Sequence, residues 1–360
     1  MTDKIRENRL PGRIGNPELV IGSDPRSDPR LVEVLRTLGM DQPGEPVPVS
    51  AASSYDECLA FFAEMERQYL LMSEAFHQDL KPLPVERDET IITGPDGNTI
   101  RLFIHRPVEQ HDHLPCILHF HGGGMVFLKA ENINYVRWRD ELAHRGVVVI
   151  GVEFRNGAGE LGNHPFPAGL DDCAAAVQWA HRNRADLGIS NIITSGESGG
   201  GNLSAAVAIK ANRENWIDAI SGVFAMSPYL SGQYARPPGE LQSLRENDGY
   251  TVDREMMAAL AKTYDPEGLN SKNPFAWPYH ALAQDLSGLP PHFISVNELD
   301  PLRDEGIGFH HKLLQAGVSS VCHTVNGTCH GGDCIAPTVL PDVYRATLRS
   351  IVGFAHDCAV

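Results

Sequence analysis

The 360-residue chain has no long run of lysine or arginine, and its formal net charge is -16. Holding a phosphate backbone needs clustered positive charge, so nucleic acid is not an expected partner and the acidity reads as solubility. No apolar stretch approaches the ~20 residues that a membrane-spanning helix requires. The opening run MTDKIRENRLPGRIG has no apolar core of the kind a secretory leader carries. The expectation is therefore no membrane span and a cytoplasmic protein. Cysteine is scarce and odd in number: Cys58, Cys116, Cys173, Cys322, Cys329, Cys334 and Cys358. Such a scattered set does not make a disulfide framework. Internal repeats and low-complexity tracts are also missing. What is present is 42% hydrophobic and 21% charged residues, enough for a large core.

The first eighty or so residues read as helical. In DPRLVEVLRTLGM, Asp28 is an N-cap candidate and Leu31, Val34, Leu35 and Leu38 recur at helical spacing. A longer helix follows from Ser53, with a capping-box signal in Ser54 and Glu57. After Leu83 the pattern changes to strands. ETIITGPDGNTIRLFIHRP predicts a hairpin turning at Pro95-Asp-Gly97. Apolar strands are then expected at 116–121, 146–154, 191–198, 220–230, 292–300 and 318–327. Helices are expected at 173–188, 200–212 and 306–317, and from Pro341 onward. This alternation predicts an α/β fold, a mostly parallel central sheet with helices on both faces and an antiparallel hairpin at its edge. The stretch 231–283, with one helix at DREMMAALAKTY, interrupts the alternation and is expected to cover a site.

Three glycine clusters carry a question about chemistry: HFHGGGM (119–125), SGESGGGN (195–202) and CHGGDC (329–334). Gly196-Glu-Ser-Gly-Gly200 fits G-x-S-x-G, between an apolar strand and an Ala/Val-rich helix. That setting is a nucleophile elbow, a sharp turn that presents Ser198 above the helix N-terminus. The plainer reading is a glycine-rich loop for phosphate. It fits less well, because the run lacks the Lys-Ser/Thr of a P-loop and the spacing of G-x-G-x-x-G.

A serine hydroxyl needs a base, and the base needs an orienting carboxylate. On this kind of sheet the order is serine, acid, histidine. Asp300 follows the strand HFISVNEL, at the place where ligand-facing loops begin. Asp304 is expected to cap the next helix, and Glu298 to lie within the strand end. Of the later histidines, His310 and His311 fall in a helix, His323 in a strand and His356 in the last helix. Only His330 falls in a loop just past a strand. Cys322, His323, Cys329, His330 and Cys334 are zinc-type residues, but C-H-x5-C-H-x3-C matches no usual zinc spacing. No metal is expected.

A tetrahedral oxyanion needs amide donors fixed in advance. The N–H after the nucleophile, at Gly199, is one such donor, and the loop His121-Gly-Gly-Gly124 is placed to supply others. His121 is then neither base nor metal ligand but a brace for its loop, and His119 is structural.

With these elements in order, the chain resembles the hormone-sensitive-lipase family of α/β-hydrolases. The matching runs are His121-Gly-Gly-Gly124, His164-Pro-Phe-Pro-Ala168, Gly196-Glu-Ser-Gly-Gly-Gly-Asn202, Asp300-Pro-Leu-Arg-Asp-Glu-Gly306 and His330-Gly331. The resemblance spans about residues 85–357 strongly and the N-terminal helices more loosely. It implies the α/β-hydrolase fold with a helical cap. It also implies a Ser198–Asp300–His330 triad and oxyanion amides at Gly123, Gly124 and Gly199. The organisation implied is a cap segment at 1–82 and a catalytic domain at 83–360, with 231–270 contributing to the cap. The activity implied is that of a serine carboxylesterase on small-molecule esters of short acyl chains, lactones among them, with no cofactor. A homodimer is compatible with it. An amidase or peptidase on the same fold, or a non-catalytic receptor, are the alternatives. Two departures from the family fall beside the pocket. EFRNGAGELG stands where D-Y-R-L-A-P-E is common, and Glu197-Ser-Gly199 stands where Asp-Ser-Ala is common.

Overall fold

The structure is a computed structural model and describes residues 10–42, 44–109, 113–335 and 337–359. The chain opens with α1 (Gly12–Gly15), α2 (Pro29–Thr37) and α3 (Tyr55–His77). Asp28 caps α2 by accepting the Arg30 N–H, and Pro29 takes the first helical position, where an amide hydrogen is dispensable. Ser54 and Glu57 form the reciprocal capping box that starts α3. Residues 1–9 of the expected segment 1–82 lie outside the described residues.

The hairpin β1 (Val85–Thr93) and β2 (Thr99–Pro107) leads into β3 (Leu114–Phe120), α4 (Ile133–Ala143), β4 (Val148–Glu153) and α5 (Ala168–Arg182). Then come β5 (Ile189–Glu197), α6 (Gly199–Arg213) and β6 (Gly222–Met226). The interruption holds α7 (Ser243–Glu246), α8 (Arg254–Tyr264) and α9 (Ala283–Leu286). β7 (His292–Asn297), α10 (Arg303–Gln315), β8 (Ser320–Val325) and α11 (Pro341–Asp357) follow. The sheet order is β1-β2-β4-β3-β5-β6-β7-β8. The strands from β3 to β8 run parallel, and the hairpin joins antiparallel through β2 and β4. α4 and α11 bury one face, with Trp138, Leu142, Leu348 and Ile351 against Ile117, Val149, Ile193 and Phe224. The larger core on the other face includes residues of α5, α6 and α10. No helix among the described residues is long and apolar enough to cross a membrane.

Several boundaries differ from expectation for local reasons. The helix expected at 173–188 runs from Ala168 to Arg182, because the Asn183 side chain donates to Trp179 O at 2.8 Å and closes it. Gly188 instead turns the chain into β5. The strand expected at 220–230 stops at Met226, since Ser227 has φ 40°. The strand expected at 292–300 stops at Asn297, so Glu298 and Leu299 already belong to the turn.

Long-range polar contacts tie the N-terminal helices to the sheet. The Asp28 N–H donates to Gly327 O at 3.0 Å. Glu66 of α3 is buried and accepts the N–H groups of Leu128 and Glu160, each at 2.7 Å. Removing that carboxylate strands amides that have no replacement acceptor. Glu66→Ala is expected to cost about 1–3 kcal/mol of stability, read as a lowered urea midpoint in equilibrium unfolding.

Candidate active site

Ser198 stands alone between β5 and α6, with φ 56° and ψ -116°. A left-handed φ at serine costs on the order of 1–3 kcal/mol and persists only where the surroundings impose it. Here the Ser198 N–H donates to Met226 O at 2.9 Å, and Ser198 O accepts from Tyr229 and Asn202 N–H at 3.1 and 3.0 Å. The flanking glycines permit the approach. A Cβ on Gly196 or Gly200 would come within 2.2 or 1.9 Å of Phe120 O.

Asp300 lies fully buried in the turn after β7. Its Oδ1 accepts the Leu302 N–H at 2.9 Å, and its Oδ2 stands 2.8 Å from His330 Nδ1. His330 follows β8, in a loop folded by Gly332 N–H to Cys329 O at 2.9 Å and Cys334 N–H to Gly331 O at 3.0 Å. Burial alone would push the His330 imidazole down. The Asp300 carboxylate outweighs it, aided by Glu197 and Asp333, and the net shift is upward from 6.5. With Nδ1–H given to Asp300, Nε2 keeps its lone pair. His330 and Ser198 line the same cavity.

The other candidates have different work. Glu298 Oε2 accepts the Gly327 N–H at 2.9 Å. Asp304 is not a cap. It is the second residue of α10, and its Oδ2 accepts the Ser243 N–H at 2.7 Å. His310 pairs with Ser320 and His323 with Ser295, while His311 and His356 are exposed on helices. Cys329 is buried, Cys322 packs against the core, and all seven cysteines are free thiols. Among the described residues no group of three or more His, Cys, Asp or Glu is arranged to hold a metal.

The loop after β3 carries Gly123 at φ 91° and Gly124 at φ 64°. A Cβ on Gly199 would fall 2.7 Å from Gly124 N, so this loop and the elbow touch. Among the described residues the N–H groups of Gly123, Gly124 and Gly199 have no protein acceptor. His121 is buried and stacked on Phe154 at 4.2 Å, with Nδ1 2.8 Å from Gly122 O. Burial lowers its pKa to about 3, so the ring is neutral and donates to that carbonyl.

The family model described as alpha/beta hydrolase fold matches residues 117–332, from β3 through the His330 loop. Brefeldin A esterase, described as a bacterial homologue of human hormone sensitive lipase, superposes with a TM-score of 0.94 at 42% identity, covering 97% of this chain and 99% of that one. The chain belongs to the hormone-sensitive-lipase family of α/β-hydrolases. Carboxylesterase NlhH of Mycobacterium tuberculosis is 34% identical over 75% of this chain and 83% of its own length. Esterase LipI of the same organism is 30% identical over 78% and 87%.

In this α/β-hydrolase the cavity at Ser198 has a volume of about 300 Å³. Its walls are largely apolar, and three helices supply much of them: Leu31 and Leu35 of α2, Met65 and Met72 of α3, and Met256 and Leu260 of α8. No lysine or arginine lines it among the described residues. The sequence marks one further group at the site as a departure from the family pattern and leaves its role open. Glu197, the x of the elbow, lines the cavity and accepts the Gly122 N–H at 2.6 Å. The signals were its position beside the serine and its standing where aspartate is common.

Proposed function

We propose that this α/β-hydrolase is a serine carboxylesterase that works through an acyl-enzyme. The observation that carries the reading is a single cavity holding Ser198 at a strained elbow together with His330 backed by Asp300. In the proposed reaction Ser198 Oγ attacks the ester carbonyl while His330 Nε2 takes its proton. The tetrahedral oxyanion meets the N–H groups of Gly123, Gly124 and Gly199. His330 then protonates the departing alcohol. Water, deprotonated by the same nitrogen, releases the acid. His121 braces the oxyanion loop. Residues 1–82 and 231–270 act as the cap, a role supported by the cavity walls drawn from α2, α3 and α8.

The apolar walls without a cation suit neutral substrates. Short acyl esters are the expected class, and an esterase named for brefeldin A among the relatives adds bulky esters and lactones to the panel. A fluorophosphonate probe should label Ser198, and matched ester and amide substrates should show the ester cleaved. Amide cleavage at equal rate would favour a peptidase, and no labelling a receptor.

The histidine acts as a base only when neutral. Its raised pKa keeps the ring protonated, and inactive, to higher pH than a free imidazole. The acid limb of kcat/KM is therefore expected to have its midpoint above pH 6.5. A midpoint at or below that value would contradict the Asp300–His330 arrangement.

A further inference from the structure

A buried polar layer lies beneath the loop of Gly123 and Gly124, and the reaction above gives it no task. His119 of β3 pairs in register with Gly151 of β4 and Ser195 of β5. Side chains alternate along a strand, so Glu153 and Glu197 continue the same face at the strand ends. α4 covers that face. The Arg139 guanidinium rests on Gly151, where a Cβ would come within 2.7 Å of Cζ.

His119, Ser195 and Arg139 are buried. Both terminal nitrogens of Arg139, both ring nitrogens of His119 and Oγ of Ser195 have no hydrogen-bond partner among the described residues. A cation buried this deeply needs carboxylates around it. Those acting on Arg139 are Glu153, Asp140 and Glu197.

Glu197 is the member of the layer that reaches the site. Its Oε1 accepts the Gly122 N–H at 2.6 Å, and its Oε2 stands 3.5 Å from His119 Nε2. The second contact is longer than a hydrogen bond, and the positive charge that acts on Glu197 from this layer is the Arg139 guanidinium. Burial outweighs the Glu197 contact and keeps His119 below its ordinary pKa, so a neutral ring faces the carboxylate. The Gly122 amide immediately precedes Gly123, and Glu197 immediately precedes Ser198. One carboxylate thus ties the strand end of the nucleophile to the loop of the oxyanion donors.

We propose that Glu197, fixed by the buried layer behind it, is a positioning residue that sets where the Gly123 and Gly124 amides stand relative to Ser198. Its catalytic consequence rests on the esterase reading, whereas its anchoring of the loop does not. Oxyanion contacts form only in the transition state, so a displaced loop lowers kcat and leaves KM alone.

The test compares the full-length wild type, Glu197→Ala and Glu197→Gln by hydrogen–deuterium exchange over residues 118–128 and by hydrolysis of a p-nitrophenyl ester across pH. Glu197→Ala is expected to speed exchange at 122–124 and to lower kcat about 10- to 100-fold, the scale of a loop displaced by about 1 Å, with KM within about two-fold. Glu197→Gln keeps an oxygen for the Gly122 N–H and should retain wild-type exchange and most of kcat. It removes a negative charge that helps hold the His330 proton, so the acid limb moves to lower pH. Unchanged exchange and kcat in Glu197→Ala would overturn the proposal. If the alanine variant does not fold, Glu197→Met, which fills the same space without an oxygen for the Gly122 N–H, carries the same expectation, and unchanged exchange and kcat there would overturn the proposal. A wild type inert on every ester would defeat the esterase reading, and the exchange data would still decide the anchoring.

Discussion

Ser198→Ala is expected to lower kcat for ester hydrolysis by about five to six orders of magnitude, the scale seen when a triad nucleophile is removed. The variant should fold as the parent does. The Ser198 side chain makes no capping hydrogen bond to α6, and the elbow is held by main-chain contacts to Met226, Tyr229 and Asn202. Alanine meets the same backbone strain at φ 56° as serine, so little stability changes hands. The measurement pairs single-turnover kinetics with thermal unfolding. Ester turnover persisting in a correctly folded Ser198→Ala protein would remove the serine from the mechanism.

The second large effect belongs to Asp300. Its two oxygens are committed separately, Oδ1 to the Leu302 N–H and Oδ2 to His330 Nδ1. In Asp300→Asn the oxygen stays with the Leu302 amide, because the amide NH2 cannot accept from it. The NH2 is then presented to His330 Nδ1, which must turn its lone pair there and carry its proton on Nε2. An imidazole in that tautomer cannot take the proton of Ser198. The expected loss is about 10⁴-fold in kcat at neutral pH, with the fold retained. The charge that raises the His330 pKa goes too, so any residual activity should have an acid limb shifted to lower pH. A loss under ten-fold would mean that another group orients the histidine.

The placement of Ser198, Asp300 and His330 was readable because each sits at a junction with a local signature. Ser198 lies in a strand–turn–helix of glycines, and Asp300 and His330 lie in turns just past apolar strands. The late ends expected for β6 and β7 have one origin: apolar residues continue past the last ladder bond. Leu299 is buried against Leu340 and Tyr250 in the turn and looks, in sequence, like more strand. α4 was less visible still. Asn134, Arg139, Asp140 and Glu141 are all buried, so the helix has no polar outer stripe. The layer of His119, Arg139, Glu153 and Glu197 was invisible for a related reason. Its members come from three strands and a helix, and only sheet register brings them together.

The division of labour around the cavity has a consequence for inheritance. The groups assigned to the proposed reaction stand at the ends of β3, β5, β7 and β8, whereas the six wall residues named above stand on α2, α3 and α8. Mutations in the two sets are therefore separable. A lineage can resize the chamber at Leu35, Met72 or Leu260 and acquire new substrates while the proton transfers pass unchanged from ancestor to descendant.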